Sequence, residues 1–188
     1  PATPTLLGTS GTVDSGKALA ISPDGNYAYL TRNGNQLQVF DVSNPAAITN
    51  VGNLGGIEGS SREIVFSDDG NTAYITGGTT GLHIVNTTVP TAPVLIITFN
   101  SSGSAKGVII STDGNTAYLA DGSDGLKLVD ITTPATPSLT STLDTTGNAS
   151  QLKISADEEI VYLADVAGGL VMIDLTAISY PLDSPYVT

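Results

Sequence analysis

Apolar and polar residues alternate over short stretches that predict β-strands along the whole chain. Leu19 and Ile21 stand two residues apart just before a turn, and Val108 and Ile110 repeat the spacing. A period of two places apolar side chains on one face of a strand. No segment keeps a 3.6-residue period, so the pattern predicts an all-β protein without a long helix.

The strand pattern occurs four times. The turn sequence SPDGN at residues 22–26 returns as SDDGN at 67–71 and STDGN at 111–115, and more weakly at 155–159. A tyrosine follows each turn, at steps of 45, 44 and 44 residues: Tyr29, Tyr74, Tyr118 and Tyr162. We therefore predict a single domain of four units, 1–44, 45–89, 90–133 and 134–177, with a tail at 178–188.

Each unit predicts four short strands joined by tight turns. Examples are residues 18–22 for the first strand, 126–130 for the third and 139–143 for the fourth; the second carries the tyrosine. Three of the turns contain a glycine that supplies the positive φ of a tight hairpin: Gly25, Gly70 and Gly114. One small sheet cannot bury both faces alone, so the repeats predict a β-propeller of four-stranded antiparallel blades.

The third unit resembles the LVIVD repeat. The resemblance lies in GLKLVDITTP at residues 125–134, preceded by AYLADG at 117–122. Other units match more loosely, since Gln36 replaces the glycine in the first and Asn86 replaces the aspartate in the second. The family consists of bacterial and archaeal extracellular β-propeller proteins, so the resemblance implies a propeller and a surface location. It implies no site, because the family has no common catalytic residues.

Four repeats leave the size of the ring open. They could close as a four-bladed ring, two chains could form an eight-bladed ring, or the chain could be part of a longer propeller. The chain starts at Pro1 without an initiator methionine or a signal peptide, and we expect a processed or excised piece.

Both ends offer a strand to complete the last blade. Residues 1–4 match residues 134–137, which predicts a strand of the fourth type at residues 5–9. The tail from Leu182 competes for this place, but Pro185 weakens it because proline lacks a backbone donor. We expect residues 5–9 to close the ring and to bury Leu6 and Leu7.

Composition restricts the partners. The chain has 18 acidic and 6 basic residues, a net charge of −12, which argues against nucleic acid and anionic lipid. There is no cysteine, hence no disulfide or thiolate metal site. No apolar run approaches the roughly 18 residues of a membrane span. We expect no cofactor, no metal and no membrane insertion.

The single histidine, His83, is the first candidate for catalysis. Its counterparts are Gln38, Lys127 and Val171, so we interpret the position as variable and partly exposed. One histidine cannot build a histidine-rich metal site, and no unit carries the cluster of unlike groups that catalysis needs. We expect no enzyme activity, and we expect His83→Gln to leave the fold intact.

The repeated aspartates are expected to stabilise turns by accepting backbone N–H groups. One set ends the third strand: Asp41, Asp130 and Asp174, with Asn86 in the second unit. The other set lies in the hairpins: Asp24, Asp69 and Asp113. The loop 121–125 could offer two carboxylates to Ca²⁺, but its counterparts lack acids, so we interpret it as a solvated turn.

Three bases form the main candidate binding site. They lie five residues before the repeated serine, where the fourth unit has Ser150: Lys17, Arg62 and Lys106. In a propeller the innermost strands begin there, near one mouth of the central channel. The bases could form separate salt bridges, for example with Glu58, Glu63 or Asp14, or a cationic ring that attracts an anionic group.

Regular repeats favour a structural role over catalysis. The sequence predicts a non-enzymatic extracellular or cell-surface scaffold that presents a propeller face to a protein or glycan. The alternative is a self-assembling surface-layer or fibre subunit, since spare end strands allow strand exchange. An enzyme with a site at the channel mouth ranks third.

Overall fold

The computed structural model describes residues 3–11, 15–34 and 36–176. These residues contain fifteen β-strands in four antiparallel sheets. Blade 1 contains β1 (Gly16–Ile21), β2 (Tyr27–Arg32), β3 (Gln36–Asp41) and β4 (Thr49–Gly55). Blade 2 contains β5 (Ile64–Phe66), β6 (Thr72–Thr76), β7 (Leu82–Asn86) and β8 (Val94–Phe99). Blade 3 contains β9 (Gly107–Ile110), β10 (Thr116–Ala120), β11 (Leu126–Asp130) and β12 (Ser138–Leu143). Blade 4 contains β13 (Ala149–Ile154), β14 (Ile160–Asp165) and β15 (Gly169–Asp174). The all-β prediction is confirmed.

Strands pair in chain order within every blade. In blade 3, Tyr118 of β10 lies between Ile109 of β9 and Leu128 of β11. The register between the third and fourth strands shifts once in blades 1, 2 and 3, always after the second apolar residue of the third strand. Each repeat therefore folds into the same local geometry.

One aspartate organises the first hairpin of each blade. In blade 1, Asp24 accepts a hydrogen bond from Ser22 Oγ at 2.5 Å and from the backbone N–H of Asn26 at 3.0 Å. Asp69 and Asp113 accept the equivalent bonds, which confirms the role predicted for these residues. The next residue, Gly25, has φ of 76°, a left-handed conformation that glycine adopts without strain.

The aspartates and the asparagine that end the third strands also accept backbone N–H groups, as predicted. Asp41 Oδ1 accepts from the backbone N–H of Ser43 at 2.9 Å and from its hydroxyl at 2.6 Å. The other three, Asp130, Asp174 and Asn86, make the same pair of bonds to a threonine two residues on.

The apolar core lies between blades. We call the face of a blade that meets the next repeat its forward face, and the opposite face its backward face. Tyr29, Leu37 and Val39 on the forward face of blade 1 pack with Ile64 and Ile75 on the backward face of blade 2. Equivalent clusters join blade 2 to blade 3 and blade 3 to blade 4.

The described residues form an arc of four blades, since the three apolar clusters join only consecutive blades. Blade 4 has three strands in this part of the chain. The expectation that residues 5–9 form a strand within the chain is wrong: no strand is present at these residues, and they belong to none of the four sheets. Leu6 and Leu7 are 82% and 70% exposed, so their expected burial is also wrong. The competing tail from Leu182 falls outside the described residues.

The sheets and the sequence units differ in phase by one strand. β4 completes blade 1 but belongs to the unit 45–89, and β8 and β12 likewise come from the following unit. Blades 1, 2 and 3 thus each take their outer strand from the next repeat. The division into domains that the sequence suggested stays a prediction.

Candidate functional site

A cavity of about 580 Å³ opens where the inner strands of blades 1, 2 and 4 begin. The described residues that line it are all polar: Lys17, Ser60, Ser61, Arg62, Ser150 and Gln151. Two cationic groups, three hydroxyls and one amide face this space without a carboxylate among them. The lining therefore favours a small anionic group with hydrogen-bonding capacity.

Buried threonines fix the backbone beneath the two bases. Thr76 Oγ1 accepts the backbone N–H groups of Arg62 at 3.1 Å and Glu63 at 3.0 Å. Thr31, the counterpart of Thr76 in blade 1, accepts the N–H of Ala18 at 3.0 Å. The strand entrances are held rigidly while the side chains of Lys17 and Arg62 remain exposed.

The structure separates the third base from the other two. The Lys106 ammonium donates to Asn148 Oδ1, and Lys106 is not part of the cavity lining. Neither Lys17 nor Arg62 forms an ion pair with a described residue, whereas Glu63 accepts the N–H of Val108 at 2.8 Å. Lys17 and Arg62 line one cavity together with Ser150 of the fourth repeat.

His83 is buried, so its interpretation as partly exposed is wrong. The side chain is 1% exposed, because the segment entering blade 2 folds over it and Glu58 O lies 2.8 Å from Nε2. A carbonyl only accepts, so Nε2 donates the proton, and Nδ1 of the neutral ring accepts from Thr98 Oγ1 at 2.9 Å. Burial lowers the pKa of His83, and both ring nitrogens are engaged inside the protein.

The loop 121–125 is a buried ion-pair site, and its interpretation as a solvated turn is wrong. Lys127 Nζ lies 2.8 Å from Asp121 Oδ2 and 2.7 Å from Asp124 Oδ2, and it also donates to Ser101 O. Burial raises the pKa of Asp121. Burial disfavours the charge on Lys127, but the hydrogen bonds that its ammonium donates to both aspartates, together with their charges, outweigh this effect and raise the Lys127 pKa. Both carboxylates are therefore committed to one lysine.

The described residues contain no cluster of three or more histidine, aspartate or glutamate side chains placed to hold a metal ion. The same part of the chain contains no helix of the length and hydropathy needed to cross a membrane.

Comparison with protein families gives one match. The family model of the LVIVD repeat matches residues 15–54, 102–145 and 146–184. The stretches cover the repeats of blades 1, 3 and 4, and the unmatched part contains blade 2 with its Asn86. No curated protein matches the chain.

Solved structures share the fold. A Bacteroides uniformis protein named as a candidate 6-phosphogluconolactonase superposes with a TM-score of 0.75 and 17% identity, over 85% of this chain and 50% of that chain. The β-propeller domain of Cps50 (Swd1) from Myceliophteria thermophila gives 0.71 and 10%, over 85% of this chain and 54% of that chain. The fold is therefore that of a β-propeller, and the chain spans about half the length of each of these structures.

Proposed function

Because the chain belongs to the LVIVD repeat family, we propose that it is a non-enzymatic binding module that presents a propeller face to a protein or glycan partner. The cavity at the channel mouth is the centre of this face. Lys17 and Arg62 attract an anionic group of the partner, and the serines and Gln151 bind it by hydrogen bonds.

One observation carries the proposal: two bases without a carboxylate partner among the described residues share one cavity in a chain of net charge −12. In such a chain most surfaces repel anions, so a local pair of cations distinguishes this mouth from the rest of the molecule. Nearby opposite charges gain only modest energy at an exposed site. We therefore expect weak binding of a single group and tighter binding of a partner that covers the whole face.

The absence of a catalytic role is part of the proposal. His83 uses both ring nitrogens in structural hydrogen bonds, and the loop 121–125 uses its carboxylates to pair with Lys127. The lactonase name of one similar structure concerns that protein, and 17% identity extends only the fold to this chain. A scaffold also agrees with the regularity of the four repeats.

We further propose an extracellular or cell-surface location. It is supported by the family resemblance and by a composition that is rich in threonine, serine, asparagine and glycine and poor in lysine. Nucleic acid, membrane insertion and cofactors have no place in this function.

Titration with two pairs of probes tests the proposal. The pairs are glucuronate-containing and neutral oligosaccharides, and a glutamate-rich and a glutamine-rich peptide, each followed by NMR chemical shifts. At least one acidic probe is expected to shift the resonances of Lys17, Arg62 and Ser150 more strongly than its neutral counterpart. The effect should weaken as salt rises, because exposed charges are screened.

Three variants separate the site from general charge. Lys17→Gln combined with Arg62→Gln should weaken binding of the acidic probe about fivefold. Lys153→Gln removes an exposed charge elsewhere and should not change binding of the acidic probe. Lys106→Gln should change this binding only slightly, because the Lys106 ammonium already donates to Asn148. Equal binding of the acidic and neutral probes, or equal losses in all three variants, would contradict the proposal.

A further inference from the structure

Apolar side chains are exposed on the two end faces of the arc. On the backward face of blade 1, Leu19 and Ile21 are 63% and 50% exposed. On the forward face of blade 4, Leu170 and Met172 are 70% and 59% exposed. These pairs occupy repeat positions that build the contacts between consecutive blades.

Their counterparts elsewhere in the chain are buried or half-buried. Leu37 and Val39, the counterparts of Leu170 and Met172 in blade 1, are fully buried against blade 2. Val108, a counterpart of Leu19, is fully buried against blade 2. The forward face of blade 4 and the backward face of blade 1 are thus the two halves of an interface that the molecule already forms three times.

The N-terminal segment lies where an outer strand of a preceding blade would lie. Gly52 of β4 passes so close to the carbonyl oxygen of Pro90 in blade 2 that a Cβ would collide with it. Gly8, which is 44 residues earlier, makes the same close approach to the carbonyl oxygen of Pro45 in blade 1. Residues 3–9 therefore occupy the place of the fourth strand of a blade whose other strands are not among the described residues of the same copy.

We propose that two copies of this chain close into one eight-bladed ring. Blade 4 of each copy packs its forward face on the backward face of blade 1 in the other copy. Residues 5–10 of each copy pair with β15 of the other and supply the fourth strand of that blade. The register follows from the pairing of β3 with β4 in blade 1, transferred to the equivalent positions of the repeat. It places Leu6 opposite Ile173, Gly8 opposite Met172 and Ser10 opposite Leu170.

Closure with two copies agrees with the share of a propeller that the chain covers. With TM-scores of 0.75 and 0.71, 85% of this chain covers 50% and 54% of two propeller structures. One copy therefore accounts for at least half of a ring, and a second copy fills the remainder. Head-to-tail contacts then close into a ring instead of growing into a fibre.

The solution mass is the first test. Light scattering should give about 38.2 kDa, twice the chain mass of 19.1 kDa. Leu170→Asp should reduce the mass to that of one chain, whereas Leu139→Asp, at an exposed leucine of β12 away from both end faces, should not. A wild-type mass of 19.1 kDa would overturn the proposal. The end faces would then be expected to contact further blades of another chain. A series of larger masses would contradict the closed ring and indicate a fibre of head-to-tail copies.

Cysteine pairing tests the same contact independently of stability. The chain has no cysteine, so Ser10→Cys together with Leu170→Cys introduces the only thiols. Oxidation should produce a covalent dimer that disappears on reduction. A disulfide formed within one chain, without a change in mass, would show a closed four-bladed ring and overturn the proposal. The control for register keeps Ser10 and combines Gly11→Cys with Leu170→Cys, and it should cross-link far less.

Discussion

At the scale of single residues, one repeat position shows how the blades are tied to the segments that enter them. The second residue of the third strand is His83 in blade 2 and Lys127 in blade 3. Each donates to a main-chain carbonyl of the entering segment, Glu58 O and Ser101 O respectively. Gly77 leaves space for the imidazole, and its counterpart Asp121 instead supplies charge for the ammonium. The same link is built from different chemistry in neighbouring blades.

The burial of the His83 side chain makes the stability of the fold depend on the protonation of its ring. Its pKa is lowered in the folded state, so below about pH 6.5 the unfolded chain binds the proton first. The stabilising contribution is complete above that pH and is lost as the pH falls. Lowering the pH from 7.5 to 5.0 should therefore reduce the melting temperature.

His83→Gln is the matched variant, since Gln38 occupies this position in blade 1. Because the chain has only one histidine, the variant should show a clearly smaller loss of melting temperature over the same pH range. An unchanged loss would assign the pH dependence to carboxylates instead.

At the scale of the element, the hairpins are the part of the fold that local sequence determines most fully. Serine, aspartate and glycine each contribute a defined bond or dihedral angle, so the turn follows from a few adjacent residues. In blade 4, Glu158 adopts φ of 58°, which shows that the repeat imposes the turn even where no glycine is present. Its carboxylate accepts the backbone N–H of Thr112 at 2.6 Å, a contact with blade 3.

Gly114→Ala should destabilise the protein through backbone strain alone. Gly114 has φ of 74°, and no atom lies within 4 Å of the position of an added Cβ. A left-handed alanine costs about 1 kcal/mol, which corresponds to roughly 2–4 °C in melting temperature for a domain of this size. Gly55→Ala is the control, since Gly55 has equal space without a positive φ and should be nearly neutral. Equal effects would show that the positive φ of Gly114 is not the cause of its destabilisation.

Sequence patterns predicted strands and turns well and predicted burial of polar residues poorly. The alternation that marks Leu126 to Asp130 as a strand is local, and the strand has those bounds. The burial of His83 depends on Glu58, which is 25 residues away and belongs to the segment between blades. For the site, equal spacing identified the bases, but it could not show that Asn148 draws Lys106 away from Lys17 and Arg62.

At the scale of the whole molecule, the ends of the chain should control assembly more than stability. Residues 3–9 form no strand in the single copy, and Leu6 and Leu7 are exposed there. Deleting residues 1–9 should therefore leave the circular dichroism spectrum nearly unchanged and should shift the mass from two chains to one. Deleting residues 182–188 should leave the mass at two chains. A dimer that survives the first deletion but not the second would assign the missing strand to the C-terminal tail.

The one-strand difference in phase between sequence units and sheets has a consequence for how such proteins change in evolution. Duplication of a whole unit always adds one outer strand together with the three strands of the following blade, and deletion of a unit removes the same four strands. Both ends of the shortened or lengthened chain then keep complementary chemistry, whatever the number of units. Recombination between repeats can thus alter the circumference of the ring, or divide it among several genes, without requiring any new contact to arise.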